Sequence, residues 1–251
     1  MNMNYKTLKD KSIILSKKLG AKNNNDTEEP ENIDDLEIDK CVLILGLNPS
    51  SAEFKNDNEE KANCFLKYIP EDNLNDEQKG IIEKLSKKMY IYNRYFKRNY
   101  ELFDNHSDFN MLWQNPNYLK RYKKLLKNEW AFLNLDNFKP KIKKYIVFSD
   151  LVFIKNKMAK KIESKLENNN LKIKELFDLQ LDYYKPSLVI VTNAAASNLL
   201  NNLLNNGKDV SEMIYRSIPI IFSSMVSGQR ALDKFNFIRL KKDIEKHLND
   251  I

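Results

Sequence analysis

Four short, continuous apolar runs constrain this chain more than any other feature. They are Cys41-Val42-Leu43-Ile44-Leu45, Tyr145-Ile146-Val147-Phe148, Leu188-Val189-Ile190-Val191 and Ile218-Pro219-Ile220-Ile221-Phe222. Runs this short, with no polar alternation, suit strands covered on both faces. Helical spacing fills the intervals. Ile81, Leu85, Met89, Tyr92 and Phe96 form one stripe, and Tyr118, Tyr122, Leu125 and Leu126 a second. Ile173, Leu176, Phe177, Leu181 and Tyr184 precede the third run; Ala195, Leu199, Leu200, Leu203 and Leu204 follow it, with Gly207 as the expected stop. Phe237, Leu240, Ile244 and Leu248 mark a last helix. Strands alternating with helices imply a parallel sheet with right-handed crossovers. Such sheets bind ligands outside the carboxyl ends of their strands, so the informative residues are those just after each run.

The rest of the chain sets the boundaries. Tyr5 to Leu19 predicts a helix with Leu8, Leu15 and Leu19 on one side, stopped by Gly20. Residues 21–39 are polar and acidic and contain Pro30, the composition of a solvated linker. The expected organisation is a helix and linker over 1–39 and an α/β domain over 40–251. No apolar run approaches the roughly 20 residues of a membrane span, and the N-terminus has no apolar signal core. The two cysteines, Cys41 and Cys64, offer neither a disulfide framework nor metal-ligand spacing. An intracellular, cytoplasmic monomer without membrane, metal or cofactor is the expectation. The formal charge of +7 favours phosphate polyanions, although lysines on ordinary solvated helix faces account for it equally well. The chain has no Gly-x-x-x-x-Gly-Lys-Ser/Thr loop and no Gly-x-Gly-x-x-Gly after the first run, which disfavours P-loop and dinucleotide enzymes.

After the first run comes Gly46-Leu47-Asn48-Pro49-Ser50-Ser51-Ala52. Gly46 permits a positive φ or a close backbone approach. Pro49 fixes its own φ and extends Asn48, whose amide can both donate and accept. The same residues also make an ordinary turn. The second run ends in Ser149-Asp150-Leu151-Val152. The third ends in Thr192-Asn193, where either residue can cap the next helix. The fourth leads into Ser223-Ser224-Met225-Val226-Ser227-Gly228-Gln229-Arg230, which sets small hydroxyls beside apolar side chains and a cation. Apolar wedges next to phosphate-binding groups suit a duplex, while a loop leading to a helix cap explains the segment as well.

As an ordered set, these strand-end segments resemble the uracil-DNA glycosylase superfamily over roughly residues 40–245. The Gly46 to Ala52 segment looks like the Gly-Ile-Asn-Pro-Gly loop of the mismatch-specific thymine/uracil branch. Lys185-Pro186 resembles the family's entry to its third strand, and the loop at Ser223 stands where the family has its second motif. The resemblance implies a three-layer α/β/α sandwich around a four-stranded parallel sheet. It also implies a metal-independent DNA glycosylase that flips a base and hydrolyses its N-glycosidic bond. Carried over by position, Asn48 orients the attacking water, and Pro49, Ser50 and Ser51 shape the pocket floor and approach phosphate. Tyr95 or Phe96 stacks on the base, although Phe96 continues the core stripe from Met89 and Tyr92, which favours packing for it, while Tyr95 is less bound by that stripe. Ser223 and Ser224 hold phosphate, Met225 or Val226 enters the vacated stack, and Gln229 and Arg230 hold the backbone.

Two departures stand out. Asp150 falls where the family commonly reads uracil with Asn. An ionised carboxylate only accepts, which favours a base with an exocyclic amine over plain uracil, whereas protonation by burial would restore a donor. The second motif also lacks histidine: His106 and His247 sit in a polar stretch and in the last helix. Slow catalysis is expected. Two rivals stay open: a non-catalytic module that binds nucleic acid or a modified base on the same scaffold, and an unrelated α/β enzyme acting on a small nucleotide.

Overall fold

The computed structural model describes residues 4–23, 26–34, 38–47, 75–80, 101–103, 105–106, 110–111, 144–154, 166, 168–206, 208, 210–226 and 231–249. In chain order, the long elements are α1 (Tyr5–Lys18), β1 (Lys40–Gly46), β2 (Asn110–Met111), β3 (Lys144–Asp150), α2 (Asn170–Tyr184), β4 (Leu188–Val191), α3 (Ala194–Asn205), β5 (Glu212–Tyr215), β6 (Ile218–Phe222) and α4 (Lys234–Asn249). The stripes at 81–96 and 118–126 lie outside the described residues.

One sheet gathers the strands in the order β2-β3-β1-β4-β6-β5. The four apolar runs are its inner strands β3, β1, β4 and β6, all parallel. The expected four-stranded parallel sheet is therefore corrected to a mixed sheet of six. Parallel β2 adds two residues beside β3, and antiparallel β5 closes the other edge. β5 pairs with β6 through a tight hairpin whose central residues, Arg216 and Ser217, both have positive φ (52° and 65°). That handedness matches the twist of the paired strands.

Alternation along the strands divides the core. Cys41, Leu43 and Leu45 of β1, with Val147, Val189, Val191 and Ile220, join one buried cluster with α1, α2 and α3. The intervening Val42, Ile44, Ile146, Leu188, Ile190 and Ile221 are equally buried but stand outside that cluster. They point to the opposite face, because successive strand side chains alternate. Helix α4 packs on β6 and buries Phe237, Leu240, Ile244 and Leu248, none of which joins the first cluster.

The helix ends follow local chemistry. Asn4 caps α1 by accepting from Thr7 N at 3.0 Å. Gly20, at φ 108°, ends it, with Ala21 N donating to Ser16 O at 2.9 Å and Gly20 N to Lys17 O at 3.1 Å. Lys185 closes α2 in the left-handed region, one residue before Pro186. At the end of α3 that conformation belongs to Asn206; the expected stop, Gly207, lies outside the described residues.

The N-terminal segment is bound more closely than a tethered helix on a solvated linker. Leu8 and Leu15 of α1, and Leu19 just after it, belong to the first core, and α1 packs along α2. Beyond it, Glu28 N donates to Phe153 O at 2.9 Å and Thr27 bridges Ile154. The Tyr184 hydroxyl donates to Glu31 O at 3.1 Å, and the Tyr183 hydroxyl accepts from Ile33 N at 2.8 Å. Pro30 and Glu31 are buried. Tyr183 also donates to Asn32 Oδ1 at 3.1 Å and Asp34 Oδ1 at 3.0 Å, and Lys9 pairs with Glu29 at 2.9 Å, partners that composition does not show.

Candidate functional site at the strand ends

Parallel pairing aligns the carboxyl ends of the inner strands in one row. Gly46 is level with Asp150, Leu45 with Val191, and Val191 with Phe222. Backbone bonds carry the pairing past the strands: Leu151 N to Gly46 O at 2.9 Å, Thr192 N to Leu45 O at 3.0 Å, and Ser223 N to Val191 O at 2.8 Å. The row therefore runs Asp150, Gly46, Thr192, Ser223. At the usual strand spacing it spans about 14 Å. From β1 the chain crosses to β3 on one side, then returns past β1 to β4 on the other. That reversal opens the crevice of an open α/β sheet between β1 and β4, the place where Gly46 and Leu47 lead to Asn48.

Gly46 resolves into the close-approach reading, since its φ is not in the positive range. A Cβ at this position would collide with Asp150 Oδ1. The carboxyl group thus lies over the bare Cα of β1's last residue. Enclosure there pushes its pKa from the ordinary 3.8 up to about 7, with the negative charge of Glu28 adding to the rise. Asp150 is also anchored from behind. Gln180 of α2, fully buried, donates Nε2–H to Asp150 O at 3.1 Å and accepts from Ser149 Oγ at 2.7 Å. Neutral Asp150 can donate a hydrogen bond, and ionised Asp150 can only accept. Near neutral pH this position presents both forms.

At the other end of the row, Ser223 and Ser224 are half-buried. Ser197 of α3 donates Oγ–H to Ser223 O at 2.8 Å, fixing the start of the loop. Met225 is 38% exposed while Val226 is 1% exposed, so the two wedge candidates differ in availability. Leu232 N donates to Met225 O at 2.8 Å, which brings the start of α4 beside Met225. Asp233 then caps α4, accepting from Phe235 N at 2.8 Å and Asn236 N at 2.9 Å. Asn193 is a cap as well, accepting from Ala195 N at 3.0 Å and Ala196 N at 3.1 Å. His247 meets Glu212 Oε1 at 2.8 Å.

No protein-family model matches the chain, and no curated protein matches it either.

Of the residues singled out in the sequence, Asp150, Ser223, Ser224, Met225 and Val226 lie on or beside this row. Asn48, Pro49, Ser50, Ser51, Tyr95, Phe96, Gln229 and Arg230 lie outside the described residues. Sequence reasoning missed Gln180 and Glu28. Gln180 left one signal, a polar residue on the buried side of the 173–184 stripe; Glu28 left none. Among the described residues, no group of acidic, Cys and His side chains could hold a metal ion, and no helix is long and apolar enough to cross a membrane.

Proposed function

We propose that this chain is a uracil-DNA glycosylase-like hydrolase, a three-layer α/β/α protein that extrudes a base from DNA and cleaves its N-glycosidic bond without a metal. The observation that carries the reading is the Asp150 carboxyl group held over Gly46, on the β3 side of β1 and one strand from the switch-point crevice where the chain enters Asn48. A row about 14 Å long accommodates a nucleotide, its base at Asp150 and its phosphate near Ser223 and Ser224. Asn48 orients water towards C1′; water adds to that carbon, and the base departs with a proton. Asp150 reads the base edge, Tyr95 or Phe96 stacks on it, and Met225 fills the gap left in the stack. Ser51, Gln229 and Arg230 hold the strand. The net charge of +7 supports a polyanionic partner.

The raised pKa at Asp150 refines the choice of base. The protonated form donates to a ring carbonyl, and the ionised form accepts from an exocyclic amine. Labelled oligonucleotides carrying uracil, a thymine mismatch, hypoxanthine, xanthine or an oxidised pyrimidine, in single and double strands, test the reading after alkaline scission. Cleavage that is lost in Asn48→Ala and shifts in base preference across neutral pH supports it. DNA binding without an abasic product at high protein concentration supports a binding module, the reading that fits the lack of a histidine on the row: His247 is bound to Glu212.

A further inference from the structure

We propose that the outward face of α4 is a track for a single strand of nucleic acid leading away from the strand-end row. At 3.6 residues per turn, Phe235, Arg239, Lys242 and Lys246 fall in one line with Ile238 beside it. This line is opposite the buried Phe237, Leu240, Ile244 and Leu248. Phe235 is 82% exposed and Ile238 42% exposed, large apolar side chains outside the buried core. Among the described residues, Arg239, Lys242 and Lys246 form no ion pair. The carboxylates of α4 stand off the line: Asp243 and Glu245 flank it, and Glu245 accepts from Asn105 Nδ2 at 2.5 Å.

An exposed ring at one end of a row of unpaired cations is the arrangement that binds a strand without reading its sequence. The ring stacks on a base and the cations follow the phosphates. The line from Phe235 to Lys246 is about 16 Å long, enough for several nucleotides. Its aromatic end lies nearest the site, because the Leu232–Met225 hydrogen bond starts α4 beside the wedge candidate. An amphipathic helix on an anionic membrane also combines apolar and basic residues. It needs a broad apolar face, however, and here the apolar part is one ring and one isoleucine at one end of the line.

The track rests on the nucleic-acid reading above, and the test separates the two. The full chain is titrated into a fluorescent, unmodified single-stranded oligonucleotide, with anisotropy as readout over a range of salt. Phe235→Ala is expected to weaken binding about tenfold and Phe235→Tyr to preserve it, as base stacking requires. The triple variant Arg239→Gln, Lys242→Gln, Lys246→Gln is expected to lower the salt slope of log K by about 2, from three lost phosphate contacts. Thermal midpoints should stay near wild type, since every altered side chain is exposed. Wild-type affinity and salt slope in both variants, with duplex binding still weakened by Met225→Ala, would overturn the track and leave the site reading standing. Binding by the wild type to anionic vesicles in place of the oligonucleotide, lost in these variants, would overturn it in favour of a membrane surface. No nucleic-acid binding by the wild type at any salt would remove the function reading and the track together.

Discussion

Asp150→Asn tests whether the end of β3 holds its carboxyl group where charge is unwelcome. The variant keeps the size of the side chain and removes its titration. In the folded chain the pKa is pushed up to about 7 from an ordinary 3.8. Between those values the native state keeps a proton that the unfolded state has lost. Stability from this group is therefore full at low pH and falls as pH rises towards 7. Linkage over that interval gives a loss of about 3 kcal/mol between about pH 5 and pH 8. Urea unfolding of wild type and variant at both pH values isolates this group, because titrations not coupled to Asp150 cancel in the difference. The wild type should lose about 3 kcal/mol more than the variant on going from the lower to the higher pH. Parallel pH dependences would refute the reasoning, and with it the idea that base preference turns on the protonation of Asp150.

Three further outcomes follow from the same geometry. Gly46→Ala should destabilise the fold by about 1–3 kcal/mol through the collision with Asp150 Oδ1, and much of that loss should return in the double variant with Asp150→Ala, as a double-mutant cycle would show. Asn193→Ala should lower stability by about 1 kcal/mol through the lost cap of α3, with the rate of base release on a responsive oligonucleotide unchanged. Met225→Ala should weaken duplex binding in a gel-shift assay without changing the melting temperature, whereas Val226→Ala, made in a packed position, should lower the melting temperature.

How much of this was legible in the sequence depended on whether burial left a pattern. The four inner strands were legible because both of their faces are covered, which forces continuous apolar runs. β5 was not: Glu212-Met213-Ile214-Tyr215 is a partly exposed edge strand defined by its hairpin partner. β2, with two residues, carries too little pattern to register. The strap at 26–34 was misread because composition does not show which partners its polar groups find: Tyr183 and Tyr184 bind its backbone, and Tyr183, Tyr5 and Lys9 bind the side chains of Asn32, Asp34 and Glu29. Asp150 was legible as the acidic residue that ends the second apolar run. That its carboxyl sits over Gly46, backed by Gln180 and facing the charge of Glu28, depends on contacts between distant segments that no local spacing encodes.

The way α1 and its strap are bound also orders events during synthesis. Lys11 finds its partner Glu175 in a segment 164 residues further on, and Glu31 O waits 153 residues for the Tyr184 hydroxyl. A chain leaving the ribosome thus presents Leu8, Leu15 and Leu19 long before α2 exists to cover them. Closing so long a loop is slow, and apolar surface left open meanwhile invites association between nascent chains. The polar, acidic composition of residues 21–39 keeps that early segment hydrated through the delay. The region that composition marks as a loose tether therefore cannot lock until α2 has been made.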